Sequence, residues 1–335
     1  MTYSLMTLSQ DVLRIAGTKV RSIQKTVSRS KTLSLNAMIL ATKAGQYGKG
    51  FEVVAREAVE IANAIDQQAI SLADDLAPTL EAIGRFGEIF QGQRLHDLAL
   101  HLIEIIDRNL YERSCDVRWW ATDVAIVDCL ARTEEDTLAH ASRRLGVILD
   151  SYTVYVDIWL CDRAGRVLVN GRSQRYPQAV GTSVAELSWF RRALTITAGD
   201  QFAVGEVGPC AALDGRVLLT YATAVRVGGT IDGEVIGVIG VHFDWQSQSQ
   251  QVVDGVRLDP EERARTRCAI VDAQGLVIAA SDQVGVLVEH IDLPHGSRGG
   301  HLVRAREVVG HALTPGYESY RGLGWSGVIM QRLPE

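Results

Sequence analysis

Ile158-Trp-Leu-Cys-Asp-Arg-Ala-Gly-Arg-Val-Leu-Val-Asn-Gly171 returns, about 110 residues later, as Cys268-Ala-Ile-Val-Asp-Ala-Gln-Gly-Leu-Val-Ile-Ala-Ala-Ser281. Each copy is a β-rich run, an Asp-x-x-Gly turn and a second apolar run, the signature of a hairpin. The closing strands rhyme as well, with Ile236-Gly-Val-Ile239 answered by Ser326-Gly-Val-Ile329. A unit that recurs with its turn chemistry intact reads as two tandem modules rather than one large sheet. Further strands are expected near Gln201–Val207, Val217–Val227 and Glu234–Phe243, with Asp232-Gly233 as a two-residue hairpin turn. The modules are placed at residues 151–258 and 259–335.

Upstream of them the periodicity is helical. Residues 94–150 carry Leu95, Leu98, Leu102, Ile105 and Ile106, then Val124, Val127, Leu130, Leu138, Leu145 and Ile148, and are read as one long stalk helix. Pro78, Gly84, Gly87 and Gly92 mark residues 77–93 as a joint. Residues 1–76 read as two helices. On the outgoing arm Leu13, Ala16, Val20, Ile23, Val27, Ser30, Ser34, Ala37, Ala41 and Ala44 keep a coiled-coil spacing. On the return arm Phe51, Val54, Ala58, Ile61, Ile65 and Leu72 do the same. The turn between them falls on Gly45, Gly48 and Gly50, and so short a connection makes the arms antiparallel.

Charge agrees. The outgoing arm through Lys49 holds eight basic residues against Asp11, whereas the return arm to Leu76 holds six acids against Arg56. Small residues at many stripe positions leave a lone hairpin short of core, so a homodimeric four-helix bundle is expected. The fold class is therefore α+β: an antiparallel helical hairpin, a long helix, then two antiparallel-sheet modules.

The whole-chain numbers narrow the function. A formal charge of -6 argues against a nucleic-acid partner. Cys115, Cys129, Cys161, Cys210 and Cys268 form no CxxC pair and suit a reducing cytoplasm. No apolar run approaches the roughly 20 residues a membrane helix needs, so no membrane association is expected. No GxSxG, Walker loop, HExxH or Rossmann glycine pattern is present, and the chain is read as a non-enzyme without cofactor or metal. His290, His295, His301 and His311 lack metal-ligand spacing.

The run from Leu35 to Ala55, with Leu35-Asn36-Ala37, Gly48-Lys49-Gly50-Phe51 and Val53-Val54-Ala55, resembles the signalling tip of methyl-accepting chemotaxis proteins. The resemblance implies a kinase and coupling-protein surface made by Leu35, Asn36, Ile39, Leu40, Lys43, Phe51 and Val54. The family's glutamate stands as Leu40 here and its arginine as Lys43, which puts the kinase contact in question. The tip precedes the sensor, the reverse of the usual receptor, and flanking methylation helices are not evident. From about residue 94 the chain resembles the double Cache, PAS-like sensor domain. The carriers are the Asp-x-x-Gly hairpin, Ser188-Trp-Phe-Arg-Arg-Ala193, Gly237-Val-Ile-Gly-Val241 and Pro315-Gly-Tyr317 through Gly322-Leu-Gly-Trp325.

That likeness implies a small-molecule pocket in the first module, with Trp189, Phe190, Tyr221, His242 and Asp244 as its candidates. Amino-acid-binding members place arginine where Leu187 stands and aspartate where His242 stands, so an unmodified α-amino acid is disfavoured. On the long helix Tyr111 to Asp123 is the most polar and aromatic stretch; of Trp119 and Trp120, one is expected on the sheets and the other on a dimer face. Cys115 and Cys129 are expected on one helical face. Two functions stay open: a chemosensory transducer that reports a bound small molecule to a histidine kinase, and a ligand-binding scaffold whose diverged tip serves dimerisation or another partner.

Overall fold

The computed structural model describes residues 5–294, 296–304 and 306–333; His295 lies outside them. The chain divides into two compact units, one ending at Gly92 and the other spanning Gln93–Leu333.

The first unit is the hairpin. Helix α1 (Leu5–Lys43) passes through a 3-10 turn at Gly45–Gly48 into helix α2 (Lys49–Trp120). Gly45 adopts φ +62°, and a Cβ on Gly48 would stand 2.0 Å from the Ala41 carbonyl oxygen, so both turn positions need glycine. Gly50, by contrast, has open space around it. On α1 the inward seam is Val20, Val27, Ser34 and Ala41, a strict heptad, with Gly17, Gln24, Lys31 and Met38 half-buried between. Gly48 at the end of the turn and Ala55, Ala62 and Ala69 on α2 answer them. Lys31 reaches across to Asp66 at 3.1 Å.

The arms therefore meet through small residues, and the larger stripe expected between them turns out to face away. Phe51 is 75% exposed and Ile61 61%, and Val54, Ile65 and Leu72 are exposed too. On α1 the stripe splits, with Ile23, Ser30, Ala37 and Ala44 outside. The seam is filled by valine, serine, alanine and glycine, and the Phe and Ile side chains lie outside it.

Residues 77–93, expected as a joint, are helical, and the boundary between the two units falls within them, after Gly92. Pro78 sits inside α2, at a cost of about 3 kcal/mol in a helix interior, while Ala69, Ala73, Leu76 and Leu80 carry the inward seam straight through it. No helix among the described residues is long and apolar enough to cross a membrane.

In the second unit the stretch expected as one helix to residue 150 is three. After α2 ends at Trp120, α3 (Val124–Arg132) and α4 (Glu135–Ser151) follow. Asp123 caps α3 by accepting the Ala125 N–H at 2.9 Å, and Thr133 closes it in the left-handed region. A capping box between Glu134 and Thr137 starts α4. Cys115 and Cys129 thus belong to different helices. Trp120 turns inward, edge-on to Tyr152 and Tyr155 at 5.4 and 5.3 Å, while Trp119 stays 70% exposed.

The first sheet is built from β1 (Tyr155–Cys161), β2 (Val167–Asn170), β3 (Ala203–Val204), β4 (Gly208–Cys210), β5 (Arg216–Arg226) and β6 (Val235–Phe243), in the order β2-β1-β6-β5-β3 with β4 also on β5. Helix α5 (Ser188–Leu194) covers its outer face; α6 (Trp245–Asp254) and α7 (Pro260–Arg263) lead onward. The second sheet comprises β7 (Thr266–Val271), β8 (Val277–Ala280), β9 (Gly299–Arg304), β10 (Glu307–Leu313) and β11 (Ser326–Arg332), ordered β8-β7-β11-β10-β9. All pairings are antiparallel and the strand order repeats. So does a bulge, between Leu160 and Cys161 in one hairpin and between Ile270 and Val271 in the other. Asp232-Gly233 was expected as a two-residue hairpin turn before β6; instead the β5–β6 connection is longer and runs through a 3-10 turn at Val227–Gly229, and Arg226 clasps the carbonyls of Gly233 and Ile196.

The main core lies between the sheets and α2, through Leu95, Ala99, Leu102, Ile103, Ile106 and Leu110. A Cβ on Gly310 would fall 2.2 Å from the Leu95 carbonyl carbon, and one on Gly327 2.3 Å from the Ala99 oxygen. Glycine at these two strand positions lets the helix backbone rest directly on the second sheet. Two buried carboxylates pin α2 further. Asp107 accepts the Thr314 hydroxyl at 2.6 Å and the Gly316 N–H at 2.8 Å, while Asp116 accepts the Tyr155 hydroxyl. Burial pushes the pKa of both carboxylates up despite these donors.

Candidate functional site

The outer face of the first sheet carries a cavity of about 570 Å³. Strand alternation decides its floor: Trp159 on β1, Leu218 and Thr220 on β5 and His242 on β6 point to this side. Trp189 on α5, the segment 182–188 leading into α5, and β4 with its flanks over 206–212 form the walls.

A register row runs across the floor, with Asp157 opposite His242 and His242 opposite Thr220. Asp157 is fully buried and its carboxylate is saturated. It accepts backbone N–H groups of Ile158, Gly171 and Arg172 at 2.9, 3.1 and 3.0 Å, and the Asn170 amide at 2.8 Å. Burial still raises its pKa. Its last donor is the Trp159 indole N–H at 3.1 Å, which fixes that ring as a cavity wall.

The His242 imidazole is edge-on to Trp159 at 4.2 Å and to Trp189 at 6.0 Å. Its Nδ1 lies 3.0 Å from the Thr220 hydroxyl, and its Nε2 is buried with no hydrogen-bond partner among the described residues. Burial holds its pKa down to about 3, so the ring is neutral at physiological pH. Trp189 lies over Gly240, where a Cβ would come within 3.1 Å of the ring, so a larger side chain there presses on the indole.

Of the five residues expected in the pocket, Trp189 and His242 line it. Phe190 packs beside Trp189, edge-on at 6.0 Å, in the apolar cluster behind. Tyr221 points through the sheet to the helix side, because its neighbours Thr220 and Ala222 take the outer face; its hydroxyl meets that of Tyr320 at 3.2 Å. Asp244 caps α6 and pairs with Arg216 at 2.8 Å. Leu187 is half-exposed at the rim. Trp159, Thr220, Glu186 and Glu206 were not among the expected residues. The repeat held a clue to the first: Trp159 aligns with Ala269, so the modules differ where a pocket wall is needed.

The second module has a larger cleft, about 880 Å³, on its corresponding face. Arg267 replaces Asp157 there and is committed to Glu289 at 2.8 Å and Asp282 at 3.1 Å. Arg263 donates to the carbonyls of Asp254 and Val256, and Arg304 to that of Asp292 and to Glu307. Arg267 and Arg304 are thus paired with acids in that cleft, whereas the first cavity has a buried polar atom without a partner in its lining. The smaller cavity is the better ligand site for that reason.

At the tip, Leu35, Asn36, Ile39, Leu40, Lys43, Phe51 and Val54 are all exposed. Leu33, Leu40, Tyr47, Phe51 and Val54 edge an apolar groove of about 540 Å³.

No family model matches the sequence, and no curated protein matches it. Solved structures do resemble the fold. The sensor domain of the V. cholerae histidine kinase DctB is 14% identical, covering 74% of this chain and 98% of its own, with TM-score 0.53. The ligand-binding domain of the Pseudomonas aeruginosa amino acid chemoreceptor PctC, in complex with GABA, is 16% identical, covering 72% and 99%, with TM-score 0.53. That of the Pseudomonas fluorescens chemoreceptor CtaA, in complex with L-serine, is 17% identical, covering 72% and 97%, with TM-score 0.52. At these identities the likeness establishes the fold: α+β, with long helices leading two antiparallel sheets, the architecture of Cache-type sensor domains of chemoreceptors and histidine kinases.

Proposed function

We propose that the chain is a cytoplasmic chemosensory transducer that binds a small molecule in the first-module cavity and signals through its helical hairpin. The observation that carries this reading is His242, a lining residue whose buried Nε2 has no hydrogen-bond partner among the described residues, in a cavity walled by two tryptophans. A polar group buried without a partner costs about 1–3 kcal/mol, and a ligand that engages it recovers that cost on binding.

The signalling half rests on the tip. Large apolar side chains lie outside a seam made of small ones, the disposition of a surface meant for another chain. A homodimeric four-helix bundle would cover the Phe51, Val54, Ile61, Ile65 and Leu72 stripe, leaving the groove around Leu40 for a histidine kinase or coupling protein. Ligand contact with Trp159 would reach α2 through β1, by way of the Tyr155–Asp116 hydrogen bond. Since α2 also supplies the return arm of the hairpin, a two-state shift of that helix is the transmission step. The cytoplasmic assignment draws support from five free cysteines.

The second reading, a ligand-binding scaffold with another partner, is favoured by Leu40, which removes the carboxylate that the tip family carries. A thermal-shift screen of the whole chain against metabolite-sized compounds tests the sensor claim. At a hundredfold excess over Kd a native-state ligand adds about 2.7 kcal/mol. Hits should vanish in Gly240→Val, whose side chain displaces Trp189; hits that persist there place the ligand elsewhere. Pull-down with a chemotaxis kinase and coupling protein separates the two readings, and capture by Leu40→Glu but not by the natural chain favours the scaffold.

A further inference from the structure

We propose that the first-module cavity selects a small protonated amine that carries no carboxylate. This rests on the reading of that cavity as the ligand site and goes on to name the chemistry it accepts.

The charges of the lining point this way. Glu186 and Glu206 border the cavity, and among the described residues neither lysine nor arginine lines it. Glu186 is shared with Arg191 at the surface, whereas Glu206 has no ion-pair partner among the described residues. Arg216, the cation attached to the neighbouring cap of α6, is already engaged by Asp244 at 2.8 Å. An entering carboxylate would lose its hydration and find no cation to replace it. A cation meets the opposite field.

The walls favour the same class. Trp159 and Trp189 are the best aromatic partners for a cation, and both are held in place, one by Asp157 and the other by its seat on Gly240. His242 supplies the third element. In the tautomer whose Nδ1–H donates to the Thr220 oxygen, Nε2 is a buried acceptor beside the cavity with nothing to accept. An ammonium N–H is the donor that fits. A quaternary ammonium satisfies the tryptophans but leaves Nε2 orphaned, and an amino-acid zwitterion brings a carboxylate with no partner.

Isothermal titration calorimetry of the whole chain at neutral pH tests this, with methylammonium through hexylammonium as probes against the matching alcohols, carboxylates and tetramethylammonium. The expected result is saturable binding of at least one alkylammonium. Glu206→Gln should weaken it up to about fivefold, the range for loss of one exposed charge, with an unchanged melt in the absence of ligand. Gly240→Val should abolish it. Alcohols or carboxylates binding as tightly as the amine overturn the proposal, as does undiminished affinity in Glu206→Gln. Tetramethylammonium binding as tightly overturns the assignment of Nε2 as acceptor. Silence from every amine, alongside some other compound whose binding is lost in Gly240→Val, overturns the amine while the sensor reading stands. Absence of any Gly240→Val-sensitive ligand overturns both.

Discussion

His242 and Trp159 stand edge to face at 4.2 Å on adjacent strands of the first sheet, and each is held by a different polar group. Trp159 is tied to Asp157 through its indole N–H, and His242 to Thr220 through Nδ1. The pair is therefore fixed before any ligand arrives, and only Nε2 of the imidazole remains to be satisfied.

Burial of His242 makes the fold sensitive to acid. Its pKa is near 3 in the native state, against about 6.5 in the unfolded chain. Between these values the unfolded state binds more protons, so the contribution is whole above pH 6.5 and is lost as pH falls toward 3. The slope is at most about 1.4 kcal/mol per pH unit. Chemical denaturation across this window should show a steeper decline in the natural chain than in His242→Asn; equal slopes would show that the ring protonates freely.

Ligand affinity, in contrast, should stay flat between pH 8 and pH 5 so far as His242 is concerned, because the ring is neutral throughout. The other titratable groups facing the cavity are Glu186, Glu206 and Cys210. Calorimetry at both ends of the range checks this, and a tenfold loss that persists in both Glu→Gln variants would assign a titrating imidazole.

In the hairpin, Ala62 and Ile61 are neighbours with opposite duties, 3% and 61% exposed. Ala62→Leu overpacks the seam and should destabilise the hairpin by about 1–3 kcal/mol. Ile61→Asp should leave its folding nearly unchanged and weaken self-association. Circular dichroism melts with sedimentation velocity distinguish the two, and a reversal of the effects would place the dimer face on the wrong side.

Tyr221→Phe removes the hydroxyl contact with Tyr320 that links the first sheet to the second module. A loss of about 1 kcal/mol is expected, with ligand binding intact because Tyr221 faces away from the cavity. Lost binding would mean that the two modules are read together.

The repeat was legible down to its turns because Asp162 and Asp272 each organise the same Asx-type loop. Their carboxylates accept the N–H groups of Arg166 and Leu276 at 2.8 and 2.9 Å, and glycine follows in the left-handed region. Trp189 and His242 were legible from position, whereas Tyr221 was assigned to the wrong face because an all-buried strand such as β5 shows no polar alternation. Pro78 looked like a break since local propensity is blind to the seam that continues past it. The seam itself was misread for a related reason. Apolar size marked Phe51 and Ile61 as core, but close helix contact selects the smallest residues, and the larger ones were left for a partner. Glu206 was invisible because a loop carboxylate acquires meaning only from what it faces.

The most direct test of the central claim is the ¹⁵N spectrum of the His242 ring, assigned by loss of its signals in His242→Gln and recorded with and without a ligand from the screen. The account predicts a neutral imidazole protonated at Nδ1, with the Nε2 resonance moving on ligand addition as that nitrogen gains its first hydrogen bond. A ring that titrates near pH 6.5, or an Nε2 resonance unmoved by a saturating ligand, would contradict it.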